Sequence, residues 1–92
     1  MLLYIVTYDI PSDRRRRRVA NLLEGYGRRV QWSVFECVLP SHLFTELKKR
    51  LKGRVNLEED SIRFYVVSGH TIGQVEVWGG VPVTELPGST IV

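Results

Sequence analysis

Residues 2–9, Leu-Leu-Tyr-Ile-Val-Thr-Tyr-Asp, are apolar on both parities, with Leu3, Ile5 and Thr7 on one side and Leu2, Tyr4 and Val6 on the other. Aromatic and β-branched residues favour a strand, and Pro11 ends the run. Because successive strand side chains point to opposite faces, this strand has to be covered on both. The helices of a 92-residue chain can cover only one of them. A second copy packed sheet against sheet is the simplest cover for the other, and the modest core of so short a chain favours association as well.

The rest of the chain alternates helix and strand. Ser12 can cap a helix reaching about Tyr26, in which Val19, Leu22, Leu23 and Tyr26 recur at helical spacing before Gly27. Residues 28–39 alternate in parity as a strand does. Their length suits two short strands broken near Ser33, although no glycine-containing turn marks the break. Ser41 can cap a second helix to about Lys52, with Leu43, Phe44, Leu47 and Leu51 inward and Lys48, Lys49 and Lys52 outward. An acidic loop (54–60), a strand (62–68) and a short strand at Gln74–Trp78 follow, before a turn-rich tail that ends Thr90-Ile91-Val92. This order predicts an α+β fold: a ferredoxin-like βαββαβ sandwich with an extra C-terminal strand, paired sheet to sheet as a homodimer. Residues 1–80 form the domain, and residues 81–92 an arm that docks on the partner subunit.

Charge narrows the choice of partner. Residues 1–54 carry 12 Lys/Arg against 5 Asp/Glu, whereas residues 55–92 carry 1 against 5, so the two parts stand at +7 and −4. A basic part of that size points to an anionic partner, nucleic acid first. Cys37 is the only cysteine, which excludes an internal disulfide and a cysteine-rich zinc site; a small buried apolar role suits it. The first residues lack a basic leader and meet Asp9 before reaching membrane-spanning length, so a cytoplasmic protein with no membrane association is expected.

Asp9 is the most informative single residue. A carboxylate that closes a central apolar strand can cap the next helix, pair with a nearby arginine, or belong to a site at the strand end. Mg²⁺ prefers oxygen ligands and usually takes one or two carboxylates with phosphate and water, so one Asp9 per chain becomes a plausible site if two copies meet at a twofold axis. Arg14 to Arg18 open the first helix at its positive dipole end, which suggests an anion close by, although charge runs are more often solvated faces. Arg14 and Arg17 point to solvent, Arg15 and Arg16 can lean towards Asp9, and Arg18 lies on the rim. Arg28 and Arg29 enter the next strand. Ser33 suits a hydrogen-bonding role better than that of a nucleophile. Trp32, Phe35 and Trp78 suit packing better than base stacking.

A first strand ending Tyr8-Asp9-Ile10, then Asp13 with a basic helix start ending Arg18-Val19, then Gly27 and Arg29-Val30-Gln31-Trp32-Ser33-Val34-Phe35-Glu36, resembles the CRISPR-associated Cas-two family. The resemblance implies a ferredoxin-like homodimer that acts as a metal-dependent endonuclease on RNA or DNA and partners the CRISPR-associated integrase (Cas-one) in spacer acquisition. By motif match Asp9 would bind Mg²⁺ at the dimer interface, with Tyr8, Arg16, Arg18, Arg29, Ser33 and Phe35 around the site. Arg15 joins that group through its place on the helix. The chemistry expected is phosphodiester hydrolysis by a metal-activated water, giving a 3′-hydroxyl and a 5′-phosphate, with arginines holding the backbone. The rival expectation is a non-catalytic dimeric scaffold that grips duplex DNA for the integrase.

Overall fold

A computed structural model of the chain describes residues 1–86. The elements run β1 (Leu2–Asp9), α1 (Asp13–Glu24), β2 (Arg28–Gln31), β3 (Val34–Leu39), α2 (Ser41–Lys52), β4 (Ser61–Val67) and a short α3 (Gly69–Ile72). The four strands form one antiparallel sheet in the order β2-β3-β1-β4, the ferredoxin-like arrangement expected from the sequence. β1 is central, paired from Leu2↔Leu39 to Thr7↔Val34 with β3 and from Leu3↔Val67 to Asp9↔Ser61 with β4. That position is what an unbroken apolar run demands.

Both long helices lie on one face. Tyr4, Val6 and Tyr8 of β1 join Phe35, Cys37 and Leu39 of β3, and Val19, Leu22, Leu23, Leu47 and Leu51 close over them as the core. Phe44 of α2 stacks on Tyr4 with ring centroids 3.7 Å apart and meets Phe64 of β4 edge-on. Gly27 lets the α1–β2 connection lie against β3: a Cβ there would stand 2.5 Å from both the Glu36 carbonyl oxygen and Cys37 Sγ. Burial pushes the Cys37 thiol up to about 11, with the Glu36 charge adding to the shift, which suits the small apolar role expected of it.

Several boundaries differ from expectation for local reasons. α1 ends at Glu24 rather than Tyr26, because the chain tightens through Gly25: the N–H groups of Gly25 and Tyr26 bond back to Leu22 and Leu23. Pro40, not Ser41, caps α2, its carbonyl accepting from the N–H groups of Leu43 and Phe44. The break near Ser33 is present as a two-residue turn at Trp32 and Ser33. Among the described residues none other than glycine has positive φ, so the turn is not of the primed type; a register irregularity between Arg29 and Gln31 supplies the extra twist instead.

Gln74–Trp78 is not a strand. Ser68 accepts a hydrogen bond from the Thr71 N–H and starts α3, and among the described residues the Val75/Val77 alternation that follows meets no neighbouring strand to complete a ladder. Gly79 and Gly80, with φ of 73° and 76°, then turn the chain. The expected terminal strand at Thr90–Val92 lies outside the described residues. On the second face of the sheet α3 packs on β1, and Leu3 is fully buried. Thr84 donates its N–H and its hydroxyl to the buried Glu36 carboxylate at 2.8 and 2.7 Å. Residues 69–86 therefore cover part of the face for which a second copy was expected.

Candidate nucleic-acid interface

The end of β1 and the tip of the β2–β3 hairpin are tied together. The Tyr8 N–H donates to the Ser33 carbonyl at 3.1 Å, and the Tyr8 hydroxyl approaches the Trp32 carbonyl at 3.5 Å. Tyr8 is buried on the helix side and stacks with Phe35, which is also buried. The Arg29 guanidinium lies over both rings of the hairpin, 5.2 Å from the Phe35 centroid and 5.5 Å from that of Trp32. Phe35 therefore supports Arg29 from beneath and presents no surface of its own.

Between α1 and this hairpin runs a cleft of about 320 Å³ lined by Tyr8, Arg16, Arg17, Arg29 and Trp32, with the carboxylates Asp13 and Glu24 on its α1 side. Arg16 is held by its bond to the Ile10 carbonyl at 3.0 Å and by its pair with Asp13. Three arginines against two acids, one of them already paired, leave the cleft cationic. Guanidinium groups suit phosphate through several N–H donors at once.

The other expected site residues are dispersed. Asp9 is exposed and shares its parity with Leu3, Ile5 and Thr7, so it lies on the face away from the helices and from the arginine cleft. Arg15 does not lean towards it. It makes a two-pronged pair with the buried Asp60 at 2.8 and 3.1 Å, with Glu59 at 3.7 Å, and so clasps α1 to the loop before β4. That hydrogen bond holds the Asp60 carboxyl below the usual carboxylate range. Arg18 lines a different cleft of about 680 Å³ between α1 and α2, beside Tyr26, Glu46, Arg50 and Arg54. Ser33 contributes its carbonyl to Tyr8. Among the described residues no three His, Cys, Asp or Glu side chains gather as a metal-binding group.

Two expectations about the tryptophans are overturned. Trp32 is 74% exposed and Trp78 88% exposed, so neither packs in this chain. Trp32 occupies a hairpin tip and Trp78 precedes a glycine turn, positions with no neighbour to bury an indole. Arg17 is exposed, as its place on the helix predicts, and also edges the cleft. Asp60 went unnoticed because its partner lies 45 residues away.

A four-stranded ferredoxin-like sheet with an arginine-lined cleft against its β2–β3 hairpin defines a small α+β domain with a cationic helix side. The family described as CRISPR associated protein Cas2 matches residues 1–75, and the chain belongs to that family. A relative from Synechocystis sp., named a CRISPR-associated endoribonuclease Cas2, is 60% identical over 92 residues and covers all of both chains. The crystal structure of Streptococcus pyogenes Cas2 matches with a TM-score of 0.75 at 39% identity, over 84% of this chain and 99% of that one. A chain of a partial Cas6-RT-Cas1–Cas2 complex matches with a TM-score of 0.79 at 30% identity, over the whole of both. Among the described residues no helix is long and apolar enough to cross a membrane.

Proposed function

We propose that two copies of this chain form a cytoplasmic Mg²⁺-dependent endonuclease that hydrolyses phosphodiester bonds of RNA or DNA and serves spacer acquisition beside a Cas1-type integrase. The cleft that gathers Arg16, Arg17 and Arg29 at the β1 end carries this reading, because it offers a phosphate backbone a cationic bed next to the strand that ends in Asp9. Family membership and the nuclease name of the Synechocystis relative support it, as does the likeness to a chain in a Cas1–Cas2 complex.

One exposed Asp9 is a poor cation site alone, but two copies of it, facing each other across paired sheet faces, fit the hard oxygen ligands that Mg²⁺ takes. Bound there, Mg²⁺ supplies charge stabilisation to the phosphodiester and makes water more acidic. The two Asp9 carboxylates would hold the cation, and the arginines of the cleft, on the other face of the sheet, would anchor the nucleic acid beyond the reacting phosphate.

The scarcity of carboxylates favours a second reading: a dimer that binds duplex DNA for the integrase without cutting it. Both readings are tested by incubating labelled single-stranded RNA and duplex DNA with wild type and Asp9→Asn, in Mg²⁺ and in EDTA, with the oligomeric mass measured alongside. The nuclease reading expects Mg²⁺-dependent cleavage that the substitution abolishes. A dimer that binds duplex while neither protein cuts establishes the scaffold and ends the nuclease reading.

A further inference from the structure

An indole that is 74% exposed at the mouth of an arginine-lined cleft is costly to leave in water, and nothing in the fold of this chain requires it there. Trp32 stands on the two-residue turn between β2 and β3, which the Tyr8 N–H bond to the Ser33 carbonyl and the irregularity near Val30 hold in place. The Arg29 guanidinium lies 5.5 Å from the ring centroid, engaged at the same time by the buried Phe35, so one side of the indole is backed while the ring stays open to solvent. Arg16 and Arg17 lie along the same cleft.

We propose that Trp32 is a stacking platform for an unpaired nucleobase, with Arg29 backing the ring and Arg16 and Arg17 receiving the adjoining phosphates. This rests on the nucleic-acid reading above and deepens it by naming the form of substrate the cleft takes: a single-stranded segment or a frayed end, rather than a continuous duplex. Bases inside a duplex are already stacked on one another and offer no free face to a side chain. Unpaired bases stack on aromatic rings irrespective of sequence, and the arginines beside the ring answer the phosphate that accompanies each base. Of the two acids on the α1 side, Asp13 is already paired with Arg16, so the arginines of the cleft outnumber its free carboxylates.

The chain contains two tryptophans, so Trp78→Phe leaves Trp32 as the sole indole reporter. In that background Trp32 emission should be open to acrylamide in the free protein, quenched by a single-stranded oligonucleotide, and little changed by a blunt duplex of the same sequence. Trp32→Ala should weaken single-strand binding between about 5-fold and 100-fold and shift the ratio of duplex to single-strand affinity by a similar factor, while Trp32→Phe restores most of it. An indole shielded from acrylamide, or a Trp32→Ala effect that is absent or equal for both substrates, overturns the platform while leaving nucleic-acid binding intact. A wild-type protein that binds neither substrate overturns the underlying reading along with it.

Discussion

The two faces of β1 are nearly equal in hydrophobicity and very unequal in what the chain does with them. On the side of Tyr4, Val6 and Tyr8, two amphipathic helices close a continuous core. On the side of Leu3, Ile5 and Thr7 the cover is a four-residue helix and an irregular segment that leaves a cleft of about 550 Å³ against Ile5, Val30, Val34 and Glu36. Tyr65 of β4 is 47% exposed on that side. The first face is built to be closed by the chain itself, and the second is closed only in part. Asp9 belongs to the second, which is why a functional account of it depends on a partner copy, whereas the arginine cleft stands complete within one chain.

The largest effect that would test this contrast is a cavity on the closed face. Leu47 is fully buried under the sheet, so Leu47→Ala should cost about 2–5 kcal/mol in urea unfolding, a large part of the stability of a small domain. Tyr65→Ala, on the half-open face, should cost well under half of that in a single chain. If Tyr65→Ala proves as damaging as Leu47→Ala, and the transition midpoint depends on protein concentration, a second copy covers the second face and the inequality belongs to the monomer alone.

A second test addresses what closes the helix face at its edge. Asp60 is buried against Arg15, and that bond lowers its carboxyl pKa in the folded state. A lowered folded pKa means that the unfolded chain takes up the proton first. The contribution of the pair is therefore fully present above the ordinary carboxylate value of 3.8 and is lost as pH falls through the lowered one. Thermal unfolding followed on acidification should show a loss of stability in wild type that Asp60→Asn largely lacks, the variant being the less stable at neutral pH. Parallel pH profiles for the two proteins would remove the clasp from the account of how α1 is fixed to β4.

Most of the fold was legible in the sequence because its signals are local: the apolar run of β1, the Val19-Leu22-Leu23 and Leu43-Leu47-Leu51 spacings, and the parity of residues 28–39. What escaped depends on distant partners. Gln74–Trp78 carries the alternation of a strand, but a ladder needs a neighbour that no local pattern provides. Arg15 and Arg16 are adjacent and alike in sequence. One is consumed by Asp60 and the other lines the cleft, a division made by the loop before β4 and by the Ile10 carbonyl. Trp32 shows the limit most plainly: tryptophan composition favours burial, and only the position of the turn shows that this one has no core to enter.

The smallest expected effect concerns the cover of the second face. Glu36 stands opposite Ile5 in β3, a carboxylate directed into the half-open side and satisfied by Thr84 through both backbone and hydroxyl. Arg28 reaches the Pro82 carbonyl at 3.4 Å, so two strands hold the segment at nearby points. Thr84→Val keeps the shape of the side chain and the N–H bond, and removes the hydroxyl donor alone. Its global cost should be about 1 kcal/mol. Its local effect should be larger, because a weakly packed segment opens independently of the core: amide exchange near Thr84 should quicken while that of Leu23 stays unchanged. If exchange near Thr84 is already as slow as at Leu23 and the substitution quickens both together, residues 69–86 are part of the cooperative core. The two faces of β1 would then differ in architecture but not in stability.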